Sequence, residues 1–396
     1  MQSLLSEAHD RLRQEVREEL ERIALPIRDE IEERENIPAE LIRRMGQLGW
    51  YGLAIPKEYG GRNEGHLARF LAIEEAARIS GAVGGALQSA ILGTAMVQYF
   101  GSDAQKRQWL PRFADGRDII SICITEPESG SHILGMRTQA VRDGEHYVLD
   151  GVKCWIANSH LANVHGVIAR TGSGTKGLSA FLVEADREGV YPGRANDSAG
   201  LRGFNIGEVI FEKCRIPIAN RIGEEGMGLQ IAHRSITCYG KPNLTAVALG
   251  VHQSLFEMTL DYARKRIIYD QALTELESAK TKLGQIYTNL VLARQASYWA
   301  MHLLDSRGEA DEQIILAKLM GTEWAFESSR KAMDIFAARG TSRAMRVERF
   351  LRDVLMVFPP AGTSDVHRKR MAEIALGSYR PSSAPSPLLM CEEAVT

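Results

Sequence analysis

Apolar positions change their period twice along this chain. From Ser3 to Gly116 they follow helical spacing. Leu12, Val16, Leu20 and Ile23 fall on one face with charges between them, and Ala39–Leu48 repeats the pattern. A Gly/Pro loop, Tyr51–Gly61, interrupts before helical character resumes through His66–Ser80 and Ala104–Phe113. Ile79–Phe100, rich in Gly, Ala and Ser, reads as a buried helix pair. From about Asp118 to Pro217 the texture turns to short β-branched runs at Ile119–Ile124, Tyr147–Leu149, Val164–Ala169, Leu178–Val183 and Val209–Phe211. Turn signals such as Asp143-Gly144 and Asp150-Gly151 separate them. This predicts a small antiparallel barrel or sandwich. From Gly223 to Gly377 helical periodicity returns in Leu244–Arg266, Ser278–Ser306 and Asp311–Ala338, with a short helix after Thr363. Helices, strands, then helices predict an α+β protein with segregated elements. The expected boundaries are 1–117, 118–222 and 223–377, followed by a Pro- and Ser-bearing flexible tail over 378–396.

Composition narrows the function classes. The 48 basic residues are balanced by 50 acidic ones, for a net charge of −2, which argues against nucleic acid or an anionic membrane as partner. No uncharged apolar run is long enough for a membrane span, and the N-terminus is charged and helix-patterned, unlike a signal peptide. The five cysteines, Cys123, Cys154, Cys214, Cys238 and Cys391, are widely spaced without a CxxC pair. Neither a disulfide framework nor a metal site is expected, and a cytoplasmic location is the simplest reading.

Several motifs stand in order between the zones. Ile124-Thr125-Glu126-Pro127-Glu128-Ser129-Gly130-Ser131 is followed by Trp155-Ile156-Ala157-Asn158. Then come Gly200-Leu201-Arg202-Gly203, Arg215-Ile216-Pro217 and Gly223-Glu224-Glu225-Gly226-Met227-Gly228. These resemble the TEPxxGSD, WITN, GxRG and GxxGxG segments of the acyl-CoA dehydrogenase family, and the resemblance extends over nearly the whole chain. It implies an N-terminal helical domain, a middle β-barrel domain and a C-terminal four-helix bundle. It also implies bound FAD, an acyl thioester of CoA or a carrier protein as substrate, and a homotetramer or homodimer.

The resemblance assigns cofactor contacts residue by residue. Ile124 and Thr125 meet the flavin edge, Gly130 and Ser131 lie at the flavin and acyl chain, and Trp155 and Ala157 lie beside the ring system. A large aromatic suits that role because it stacks and excludes water; the competing reading makes Trp155 plain core and Thr125 a strand-end hydroxyl. Arg266 stands where an arginine from a neighbouring subunit reaches the pyrophosphate, with Tyr269 just after it. Asp334, Ala338 and Gly340 match a cofactor-side turn from which most glycines are missing. Thr363 and Asp365, with His367, read as cofactor-side or surface residues.

Catalysis is where the chain departs. The family's base is a glutamate before Gly-Thr; here that position is Ala361, in Pro359-Pro360-Ala361-Gly362-Thr363. The alternative glutamate position matches Lys241, before Pro242, in a stretch with one surplus residue between Gly228 and Gly250. The threonine that approaches the flavin is Ala157. The remaining catalytic candidates are Lys241, a lysine able to act as a base when desolvated, and Tyr239, with Cys238 adjacent; the competing reading makes Lys241 exposed or phosphate-binding. Three functions stay open: altered acyl-thioester chemistry, including redox-neutral cyclopropane closure or hydroxylation; ordinary α,β-dehydrogenation with a relocated base; and a non-catalytic subunit.

Overall fold

The computed structural model describes residues 4–379, so most of the expected tail, and Cys391 with it, lies outside the described residues. The helical first zone holds α1 (Glu7–Ile23), α2 (Arg28–Arg34), α3 (Ala39–Gln47), α4 (Gly65–Ile79), α5 (Gly81–Leu92), α6 (Thr94–Phe100) and α7 (Asp103–Ala114). Ser6 starts α1 with a capping box to His9, and Ser102 starts α7 with one to Gln105. The apolar face of α1 buries Leu12, Val16 and Leu20. By contrast, α4 and α5 are buried almost all round, which explains their weak amphipathic signal.

The middle zone is one sheet built from β1 (Ile120–Cys123), β2 (Gln139–Asp143), β3 (His146–Ala157), β4 (Val164–Arg170), β5 (Leu178–Glu184), β6 (Val190–Ala195), β7 (Ile206–Pro217) and β8 (Arg221–Ile222). The strand order is β6-β7-β3-β2-β4-β5-β8, with β1 on β4. Pairing is antiparallel except where β4 meets β1 and, through Gln139 and Arg170, β2. The pattern reading missed β6, a mostly exposed edge strand carrying Pro192, which offers no apolar alternation. The long β3–β7 ladder is broken by register shifts beside Gly151 and between Lys153 and Ile156.

The last zone holds α8 (Gly228–Ser235), a π-helical turn (Ile236–Gly240) and α9 (Lys241–Lys265) in near-continuous succession. A tight hairpin follows, β9 (Ile267–Ile268) with β10 (Gln271–Ala272), turned by Tyr269 and Asp270, both at positive φ. Then come α10 (Glu277–Arg307), α11 (Asp311–Phe336), α12 (Val347–Leu355) and α13 (Ser364–Ala375). Helices from both ends of the chain share one apolar core. Glu74 on α4 locks them together, accepting from Arg294 at 2.8 Å and Tyr298 at 2.7 Å on α10. No helix among the described residues is long and apolar enough to cross a membrane.

Candidate active site

The edge formed by Thr125 and Trp155 is held from beneath by a buried ion pair. Lys153 on β3, fully enclosed, donates to Glu126 at 2.8 Å and to the Ile124 carbonyl at 3.1 Å. Glu126 also accepts the Arg137 and Thr138 backbone N–H groups. Burial pushes the Glu126 carboxyl up, but Lys153 and the N–H donors outweigh it and hold it below the usual range. The Cys154 N–H donates to the Thr125 carbonyl at 3.0 Å, so both motif segments form one rigid ledge.

Trp155 stands on that ledge at the register shift, with φ +58 and 63% of its surface exposed. It is therefore not plain core. The Thr125 hydroxyl makes no hydrogen bond among the described residues, and a side chain added at Gly130 would meet nothing within 4 Å. Ser131 is exposed and Ala157 half-buried. A flat ring system thus finds an aromatic face, a free hydroxyl and an unobstructed backbone together.

The other cofactor candidates lie elsewhere. Arg266 ends α9, half-buried and without an acidic partner among the described residues, and Tyr269 projects from the hairpin. Asp334 pairs loosely with Arg330 at 3.6 Å, Ala338 is exposed and Gly340 buried. Tyr262 stacks on Phe336 at 4.0 Å, which places Arg266 and this turn on neighbouring helix ends. The 25 residues of α9 separate Arg266 from Lys241 by about 37 Å. Thr363 caps α13 by accepting the Val366 N–H, and Asp365 is exposed beside Arg368. His367 is not a surface residue as expected: it is buried, and its Nδ1 lies 2.8 Å from the Thr363 carbonyl.

Ala361, at φ +60, sits in the turn after α12, and its Cβ lies 3.5 Å from where a Cβ on Gly240 would stand. The register is anchored because Asp353 accepts the Leu201 N–H at 2.6 Å, joining the turn to the Gly200–Gly203 motif. Burial pushes that carboxyl up to about 7. A π-helical turn, Ile236–Gly240, lies within the stretch between Gly228 and Gly250 and joins α8 to α9 without breaking the helix. Tyr239 and Lys241 therefore lie in continuous helix.

Lys241 opens α9 beside Gly240, and among the described residues its ammonium donates to the Thr237 hydroxyl at 2.9 Å. Burial pulls it down to about 8, with Asp311 and Cys238 opposing and Arg370 assisting. Tyr239 is withdrawn from the catalytic set. It is fully enclosed, its hydroxyl donates to Gln98 at 2.6 Å, and the Arg69 guanidinium lies 3.7 Å over its ring. Cys238 is equally enclosed, and burial pushes its thiol up, away from a thiolate. Sequence reasoning missed Lys318 on α11, 1% exposed, which donates to the Val357 and Phe358 carbonyls at 2.5 and 3.3 Å and so ties down the Ala361 turn. Burial, with Lys241 nearby, pulls it down to about 7. The signal was present: Lys318 stands four residues after Ile314 and four before Thr322, inside the apolar stripe of α11.

A sheet ledge carrying an exposed aromatic side chain suits a flat ring system such as a flavin. The N-terminal, middle and C-terminal domains of acyl-CoA dehydrogenase match residues 6–117, 121–214 and 226–376, and the chain belongs to this family of FAD-dependent oxidoreductases. It is 33% identical over 381 residues to the mitochondrial short-chain specific acyl-CoA dehydrogenase of Rattus norvegicus, covering 95% of this chain and 92% of the relative. Among solved structures it resembles PigA with FAD and proline (TM-score 0.90, 25% identity, 94% and 98% covered). It also resembles the prolyl acyl carrier protein oxidase AnaB (TM-score 0.87, 26% identity, 94% and 99% covered). The free Thr125 hydroxyl, exposed Trp155 and open Gly130 fit FAD.

Proposed function

We propose that this chain is an enzyme that removes the α-proton of an acyl thioester with the neutral amine of Lys241, in place of a carboxylate at 361. The observation that supports this is the closeness of Ala361 to Gly240, the residue next to Lys241. Desolvation favours the uncharged amine, the form a base requires. The proton passes to Nζ, and the electron pair left on the α-carbon delocalises into the thioester carbonyl. FAD, when bound, supplies the acceptor for a hydride from the β-carbon, which completes α,β-dehydrogenation. Trp155 covers the reacting face against water, and the Lys153–Glu126 pair keeps its ledge rigid.

Ala157 supports a second outcome, because it offers no hydroxyl to the hydride-accepting side. The α-carbon then bonds to the γ-carbon as a γ-leaving group departs with its electron pair, closing a cyclopropane without net redox change. The arm of the thioester is CoA or a carrier protein. The span from Lys241 to Arg266 supports a homotetramer or homodimer in which Arg266 serves a neighbouring copy's cofactor. The four described cysteines, buried and unpaired, support a cytoplasmic location.

The test is an anaerobic titration of flavin-loaded protein with acyl-CoA and acyl-carrier-protein thioesters, followed by visible absorption and product mass. Bleaching with an enoyl product identifies dehydrogenation. An oxidised flavin with a changed substrate mass identifies the redox-neutral route. No substrate change and no exchange of the α-hydrogen with deuterated solvent sinks the enzymatic reading.

A further inference from the structure

A cavity of about 400 Å³ opens where the β2–β3 ladder ends. The ladder stops at Gln139 opposite Asp150, and the cavity wall passes from there to the Glu126–Glu128 segment and Arg137. Glu126, Glu128, Arg137, Thr138, Asp150 and Gly151 all line it, whereas Thr125, Gly130, Ser131, Trp155 and Ala157 do not. It is therefore separate from the flavin rim. Thr138 is 1% exposed, and its hydroxyl has no hydrogen-bond partner among the described residues. Gly151, at φ +146, faces it. A Cβ there would stand 2.5 Å from Thr138 Oγ1, so a side chain at 151 would fill the space in front of the hydroxyl. Glu128 and Arg137 meet as an ion pair at 2.6 Å, and their side chains are 64% and 78% exposed. An exposed pair contributes little to stability, so a ligand parts it at small cost. Asp150, also exposed, accepts the Lys213 N–H at 3.1 Å through one oxygen. Glu126 is already engaged, since its oxygens accept from Lys153 and from the Arg137 and Thr138 N–H groups.

We propose that this cavity binds a free α-amino acid with a polar side chain. The amino acid's carboxylate takes the Arg137 guanidinium, which suits the planar fork of donors. Its ammonium takes Glu128 and Asp150, and its side chain meets the Thr138 hydroxyl, which a buried position leaves costly while unpaired. A simple anion would face the two carboxylates, and a simple cation would face Arg137. A zwitterion answers both, and its charged ends are joined through one carbon, which matches protein groups that already touch. The inference does not depend on the acyl-thioester reading.

The probes are the common L-amino acids, each titrated at millimolar concentration into the flavin-loaded protein and followed by calorimetry. The tightest binder is then compared with its N-acetyl and carboxamide derivatives. Each derivative is expected to bind at least about tenfold more weakly, because each removes one charge-assisted contact. Arg137→Gln and Glu128→Gln are expected to weaken the parent amino acid by the same factor. Both side chains are exposed, so the fold and the bound-flavin spectrum should not change in these variants. Thr138→Val, which keeps the side chain's shape, is expected to weaken the polar amino acid while leaving alanine's affinity as it was. Absence of binding by every amino acid overturns the site. Binding that both derivatives retain overturns the zwitterion. Binding that survives Arg137→Gln and Glu128→Gln lies outside this cavity and overturns the proposal as well.

Discussion

The rim at Thr125 and Trp155 and the helical surroundings of Ala361 lie far apart in sequence, and they differ in kind. Thr125 and Trp155 are both mounted on backbone, Thr125 by its carbonyl and Trp155 by a strand irregularity, over the Lys153–Glu126 pair. Around Ala361 stand partly or fully buried lysines that no carboxylate touches among the described residues. One ionic bond in the rim is satisfied at both ends; these lysines are held by a hydroxyl and carbonyls. A satisfied buried pair rigidifies, whereas an unpaired buried lysine loses its proton readily and becomes a chemical group. The difference separates support from reactivity.

The sharpest way to break this contrast is Lys241→Ala. Loss of a general base is expected to slow α-hydrogen exchange about 10²- to 10⁴-fold, measured by mass spectrometry in deuterated solvent. In the unaltered protein, exchange should rise with pH and level off above about 8, because only the deprotonated amine is a base. An unchanged rate in Lys241→Ala places the base elsewhere. Next, Lys153→Met leaves Glu126 buried and unpaired. Denaturant unfolding should show a loss of about 3–5 kcal/mol, with the rim affected first. Smaller again, Trp155→Ala should weaken FAD retention by up to about tenfold, read by fluorescence on dilution, with little change in stability because the indole is exposed.

The smallest effect concerns Lys318. Its folded pKa of about 7 lies below the unfolded value, so between pH 7 and about 10 the unfolded chain binds the extra proton. Stability should therefore rise with pH across that window. Lys318→Met should flatten the rise by up to about 1.4 kcal/mol per pH unit, measured by unfolding at several pH values. A slope that does not change means Lys318 is protonated in the fold, and the surroundings of Ala361 then resemble the rim more closely than the contrast allows.

Much of the molecule was legible in the residues alone. Period determined the helical, sheet and helical zones, because apolar faces must be buried whatever they pack against. Motif order determined the family. What periodicity could not reach was whatever depends on elements distant in sequence. It could not tell that Ile236–Gly240 forms a π turn in which Tyr239 lies in the core against Gln98. Nor could it show that His367 is buried, that Lys318 braces the Ala361 turn, or that Gln88 and Asn243 meet across α5 and α9. Sequence spacing specifies which face of one element is apolar. Burial, and with it the charge a lysine carries, depends on which other elements close over that face, and only the tertiary fold decides that.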